Sequence, residues 1–159
     1  ISLSTYYLNV YSLEYKMNYI NIYLGILFLI GGQFMRTYAM LNCGKNFSHL
    51  IMTEKRDDHQ LVTTGIYSVL RHPSYFGFFY WSIGTQIFLG NPVSFLIYTA
   101  ASWTFFYERI PIEEETLYHF YGEEYASYCR NTYIGIPFIT STICSSTTNS
   151  NNTMKSKCN

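Results

Sequence analysis

Between positions 74 and 107 the chain runs for 34 residues without one Asp, Glu, Lys, Arg or His. A helix crosses the hydrocarbon core of a bilayer with about 20 apolar residues, so this run is too long for one straight passage. Its middle reads Gly90-Asn91-Pro92, a turn signal. The pattern predicts a helical hairpin in a membrane, which returns the chain to the side it left. Two polar clusters bracket the run: Arg71-His72-Pro73-Ser74-Tyr75 before it, and Glu108-Arg109-Ile110-Pro111-Ile112-Glu113-Glu114-Glu115 after it. A hairpin brings them together at one face of the bilayer, where a site built from distant segments is expected.

Composition agrees with a membrane protein. Charged residues make up 13% of the 159, against about 25% in soluble domains. The formal net charge is zero, which gives no bulk attraction to nucleic acid, and no basic run is interleaved with aromatics. Cys43, Cys129, Cys144 and Cys158 show no CxxC spacing, and the four histidines share no ligand-like spacing. Free thiols and no metal site are the expectation. No GxGxxG, GxSxG or phosphate loop occurs.

Along the chain, residues 1–16 are rich in Tyr and Ser and are not placed. The membrane domain is expected over 17–139, with spans at about 17–38, 75–90 and 92–108. In the first span Gly25, Gly31 and Gly32 allow close approach of another helix, and Gln33 and Arg36 face a cavity or the interface. The loop up to His72 holds Arg36, Lys45, Lys55, Arg56 and Arg71, against Lys16 alone before it. The basic excess puts that loop, and with it the segment after the hairpin, on the cytosolic side. Each hairpin arm is about 24 Å long at the helical rise, short of a core of about 30 Å. Either the bracketing segments extend the helices or the arms dip without crossing.

After Pro111, Leu117, Phe120, Tyr121, Tyr125 and Tyr128 recur at helical spacing, predicting an amphipathic helix over 112–130. Pro111 fits its first position, and Glu113, Glu114 and Glu115 suit its first turn. Residues 140–159 are mostly Ser, Thr and Asn and read as a disordered tail.

Several residues in the clusters have chemical potential. Thr63-Thr64-Gly65 reads as a turn, and His72 is held out of the helical region by Pro73. Tyr67 and Tyr75 offer ring faces to a cation. Arg71 and His72 read either as headgroup anchors of a helix end or as part of a site. Arg109 and Glu113 are four apart and share a face if the helix runs through. Pro111 lies between them, and a kink there aims Arg109 back at the first cluster. Glu114 and Glu115 read as charges on a solvated helix face.

These residues resemble the C-terminal catalytic part of the isoprenylcysteine carboxyl methyltransferase family. The resemblance covers 42–139, about two thirds of the chain. It rests on Gly44-Lys45-Asn46-Phe47-Ser48-His49, the run from His59 to Tyr67, and Arg71-His72-Pro73-Ser74-Tyr75-Phe76-Gly77. Further along it rests on Phe79-Tyr80-Trp81-Ser82-Ile83-Gly84-Thr85-Gln86, Glu113-Glu114-Glu115, His119-Phe120-Tyr121-Gly122-Glu123-Glu124-Tyr125 and Gly135-Ile136-Pro137-Phe138-Ile139. The Arg-His-Pro element alone is shared more loosely, with other membrane methyltransferases and sterol reductases. The chain departs from the family in two respects: upstream transmembrane helices are missing, and Ile110-Pro111-Ile112 replaces a more acidic, proline-free run.

The resemblance implies an all-α integral membrane protein with a helical hairpin and a cytosolic cofactor pocket. It implies S-adenosylmethionine as methyl donor and the prenylated C-terminal cysteine of CaaX proteins as acceptor, in the bilayer of the endoplasmic reticulum. By position, cofactor contacts are Met52, His59, Gln60, Leu61, Val62, Tyr67, His72, Pro73, Ser74 and Tyr75, while Arg109 and Glu113 serve the substrate and the catalytic step. Alternatives are a lipid amine methyltransferase, which needs no arginine for an acceptor carboxylate, and an NADPH-dependent sterol reductase, whose 2′-phosphate suits the Glu-rich cluster poorly. A non-enzymatic remnant is the third.

Overall fold

The computed structural model describes residues 19–48, 60–140 and 143. Residues 1–16 and nearly all of the 140–159 tail lie outside that set, so the readings made for them are not addressed by it. The described residues form four α-helices: α1, Tyr19–Cys43; α2, Pro73–Leu89; α3, Pro92–Tyr121; and α4, Glu123–Arg130. Short 3-10 turns occur at Gly44–Asn46 and Gly65–Ser68. The one β feature among these residues is a parallel bridge between Leu70 and Tyr133.

Helix α1, at 25 residues, exceeds the expected 17–38 span at its C-terminal end. With the following turn it is long and apolar enough to cross a membrane. It packs antiparallel on α2 through glycines placed seven apart, Gly25 and Gly32 on one helix, Gly77 and Gly84 on the other. Seven residues are close to two helical turns, so each pair stays on one face. A Cβ at Gly32 would lie 2.6 Å from the Gly77 carbonyl oxygen, and one at Gly77 would lie 2.6 Å from the Arg36 amide nitrogen. The backbones therefore touch directly, as small residues permit in membranes. Gly31, expected to join this contact, has nothing within 4 Å.

The hairpin turn uses each of its three residues. Gly90 takes the left-handed conformation, φ 68°, and its N–H closes the end of α2 on the Gln86 and Ile87 carbonyls. The Asn91 side chain accepts from Val93 N at 3.1 Å and Ser94 N at 3.0 Å, capping α3. Pro92 occupies the first turn, where its missing N–H costs nothing.

Helix α3 does not stop or restart at Pro111. It runs 30 residues, to Tyr121, about 45 Å at the helical rise. The expected 112–130 helix is thus divided: its first half is the end of α3, and its second half is α4. Pro111 removes one amide donor, but the turns on either side are held by packing, with Ile110 fully buried. The break falls at Gly122, whose φ of 55° and ψ of −129° suit glycine.

After α4 the chain lies back along the hairpin as an irregular strap. Its Ile134, Ile136 and Ile139 complete a core with Phe79, Phe106 and Ile110. The Trp103 indole donates to the Pro137 carbonyl at 2.8 Å, holding the strap against α3. Much of α1 and the start of α3 present exposed apolar side chains, including Ile20, Leu27, Ile30, Leu96 and Ile97, a surface suited to hydrocarbon. Cys43 is free. Cys129 is disulfide-bonded, a departure from the free thiols expected.

Candidate active site

The hairpin returns the end of α3 to the start of α2, and the two polar clusters interlock there. Arg71 Nε donates to Glu114 Oε1 at 2.7 Å, and its Nη1 donates to the Cys129 carbonyl at 2.9 Å and also to that of Thr132. His72 Nε2 lies 3.2 Å from Glu114 Oε1, and His72 Nδ1 lies 3.9 Å from Glu113 Oε1. The His72 ring stacks on Tyr75, centroids 5.4 Å apart. The Tyr75 hydroxyl donates to Glu113 Oε2 and accepts from Arg109 Nε at 2.8 Å. Arg109 also stands over the Tyr75 ring at 5.6 Å and the Phe105 ring at 5.8 Å.

Beside this network is an open cavity of about 140 Å³. It is lined by residues between Gln60 and Tyr75, in the chain leading to α2 and its first turn, by Glu113, Leu117 and Tyr121 of α3, and by Tyr125 and Tyr128 of α4. Cys43, Asn46 and Phe47 at the end of α1 also line it. The loop leading to α2 is fixed locally. Asn42 Nδ2 donates to the Thr64 carbonyl at 2.9 Å, Tyr67 Oη to the Ala39 carbonyl at 3.2 Å, and Tyr128 Oη to the Tyr67 carbonyl at 2.7 Å. Gly65, φ +62°, packs where a Cβ would strike the Asn42 amide group at 2.6 Å.

Burial pushes the phenols of Tyr67, Tyr125 and Tyr128 above their ordinary range. For Tyr125 the Glu114 charge adds to the effect. All three stay neutral near pH 7.

The profile of the "Isoprenylcysteine carboxyl methyltransferase (ICMT) family" matches residues 24–119, more than half of the chain. The chain belongs to the isoprenylcysteine carboxyl methyltransferase family. It is 52% identical to the protein-S-isoprenylcysteine O-methyltransferase of Xenopus laevis over 116 residues, 73% of this chain and 40% of that protein. It is 51% identical to the Saccharomyces cerevisiae enzyme of the same name, over 73% of this chain and 48% of that protein. The solved structure of a eukaryotic intramembrane Ras methyltransferase, isoprenylcysteine carboxyl methyltransferase, superposes with a TM-score of 0.73 at 43% identity. That match covers 89% of this chain and 55% of the other. The chain spans about half the length, or less, of these curated relatives. Membership in this family sets the sterol-reductase alternative aside.

Of the residues the family resemblance points to, Gln60, Leu61, Val62, Tyr67, His72, Pro73, Ser74, Tyr75 and Glu113 line this cavity. Met52 and His59 fall outside the described residues. Arg109 stands beyond Tyr75, not among the lining residues. Arg109 and Glu113 do share a face of a continuous helix, and Tyr75 bridges them.

Two features of this family member were not settled by its sequence. Glu114, expected on a solvated face, is 1% exposed and paired with Arg71 and His72; Glu115 alone follows the expectation. The signal was present: Phe106, Ile110, Glu114, Leu117 and Tyr121 are spaced as one helical stripe. Breaking the helix at Pro111 hid that stripe. For Arg71, read either as a headgroup anchor or as part of a site, burial decides against the anchor. Its side chain is 7% exposed, and it ties α2, α3 and the end of α4 together.

Proposed function

We propose that this chain carries the catalytic part of an enzyme that methylates the C-terminal carboxylate of a prenylated cysteine in processed CaaX proteins. S-adenosylmethionine is the donor, and the site faces the cytosol from the endoplasmic reticulum membrane. The observation that carries the proposal is the Arg109–Tyr75–Glu113 bridge, because Tyr75 and Glu113 border the cavity while Arg109 lies on the far side of Tyr75. Tyr75 thus joins the cavity to a guanidinium.

The cavity fits the proposed donor chemically. Ring faces of Tyr67 and Tyr75 suit a sulfonium cation, Glu113 suits an ammonium, and Leu61, Val62 and Leu117 suit an adenine. When bound, S-adenosylmethionine supplies an electrophilic methyl group, which passes to a carboxylate oxygen and leaves a neutral thioether.

A terminal carboxylate has a pKa of about 3.5 and is already ionised. The protein's task is therefore orientation, not proton removal. Arg109 is suited to it because a guanidinium donates two parallel hydrogen bonds to a carboxylate. Tyr75 fixes the guanidinium through Nε, and Glu113 fixes Tyr75. Holding reactants in line is worth roughly 7–11 kcal/mol of barrier, enough to account for much of a methyl transfer without a general base. The basic residues of the 36–72 loop support the cytosolic orientation.

The test is transfer of labelled methyl from S-adenosylmethionine to N-acetyl-S-farnesylcysteine by the full-length protein in vesicles. Carboxyl methylation that is lost when the prenyl group is removed supports the proposal. Methylation of lipid amines instead, or none of either, overturns it.

A further inference from the structure

We infer that the hydroxyl of Tyr125 is a ligand contact in the cavity, donating a hydrogen bond to an uncharged acceptor on the nucleoside of the methyl donor. This rests on the donor proposed above and adds a residue to its site. Tyr125 lines the cavity from α4. The residue is 1% exposed, and its neighbours on the buried face of the helix are Ala126 and Cys129. Its ring packs near that of Tyr128, centroids 6.0 Å apart.

The Tyr125 oxygen is buried and has no hydrogen-bond partner among the described residues. Tyr67 and Tyr128, which also line the cavity, both donate to backbone carbonyls. A buried hydroxyl without a partner is costly, and native structures rarely leave one so. Phenylalanine would fill the same space without that cost. A ligand in the cavity that Tyr125 lines would supply that partner.

The character of that partner follows from the surroundings. Burial and the Glu114 charge keep the phenol protonated, so it is available as a donor. The charges it feels most are those of Glu114, Arg71 and Glu113, two carboxylates to one guanidinium. An incoming carboxylate is disfavoured there. An adenine nitrogen or a ribose oxygen is favoured.

Tyr125→Phe tests this in the full-length protein in nanodiscs, with S-adenosylhomocysteine and methylthioadenosine as probes. Dissociation constants for both are expected to rise about tenfold, the scale of one hydrogen bond. The ligand-free variant is expected to unfold at the same temperature as wild type or higher, because an unpaired polar group has gone. Unchanged affinity for both probes overturns the inference, as does weaker binding of S-adenosylhomocysteine alone, which would put the contact on the amino-acid end. A ligand-free variant that fails to fold or melts lower overturns it too, since the hydroxyl then has a structural partner. If wild type binds neither probe, the methyl-donor proposal itself fails, and this inference with it.

Discussion

Arg71 and Glu114 meet at 2.7 Å with 7% and 1% of their side chains exposed. This ion pair sits where the start of α2, the charged end of α3 and the exit of α4 converge. His72 reaches the same Glu114 oxygen, so the pair also orients the ring that stacks on Tyr75.

Breaking such a pair from one side leaves a buried charge, at a cost of about 3–5 kcal/mol. Glu114→Ala is therefore expected to lower stability by that amount in denaturant unfolding. Replacing Arg71 and Glu114 together by Met and Leu is expected to cost much less, because no charge is stranded. A loss under about 1 kcal/mol for Glu114→Ala would mean that water reaches the pair.

The contact between α1 and α2 depends on missing side chains. Gly77→Ala sets a Cβ 2.6 Å from the Arg36 amide nitrogen and the Gly32 carbonyl oxygen. Backbone must shift, with an expected loss of about 1–3 kcal/mol. Gly31→Ala meets nothing within 4 Å and is expected to be neutral or to stabilise α1 by up to about 1 kcal/mol. Melting temperatures of the two variants decide it; equal shifts would contradict the helix register.

Arg109→Lys keeps the charge and loses the planar fork. The expected outcome is a fall of about 100-fold in kcat/KM for the prenylcysteine substrate, near 2.7 kcal/mol of transition-state stabilisation. Affinity for S-adenosylhomocysteine is expected to change little. Tyr75→Phe removes the oxygen that joins Arg109 to Glu113, and kcat is expected to fall with it. Normal turnover in both variants would remove this trio from the reaction.

Tyr67, Tyr125 and Tyr128 have folded-state pKa values raised above the ordinary value of 10.0, chiefly by burial. Below about pH 10 both folded and unfolded phenols hold their protons, and this contribution is constant. Above it the unfolded state loses protons first, so stability falls as pH rises. Unfolding free energy measured from pH 8 to 11 is expected to be level and then decline, and Tyr128→Phe is expected to soften the decline. A level curve through pH 11 would contradict the burial of these rings.

The hairpin was legible because its signals are local. A charge-free run, a Gly-Asn-Pro turn and His before Pro each act through neighbouring residues, and each appears where the sequence put it. The fate of Pro111 was not legible. Proline weakens a helix by a fixed local amount, but packing of Phe106 and Ile110 against the strap holds this one together. With the helix continuous, Glu114 turns inward while Glu115 stays exposed. The Tyr75 bridge was equally hidden, since it joins residues 34 and 38 positions apart.

The amino-acid sequence alone determined that the chain enters a membrane, doubles back, and returns two polar clusters to one side. Hydropathy and turn chemistry depend on neighbours, and they suffice for that much. Which carboxylate is buried and which guanidinium braces the fold were decided only in three dimensions. Adjacent glutamates are chemically the same, and they differ only in what the rest of the chain packs against them.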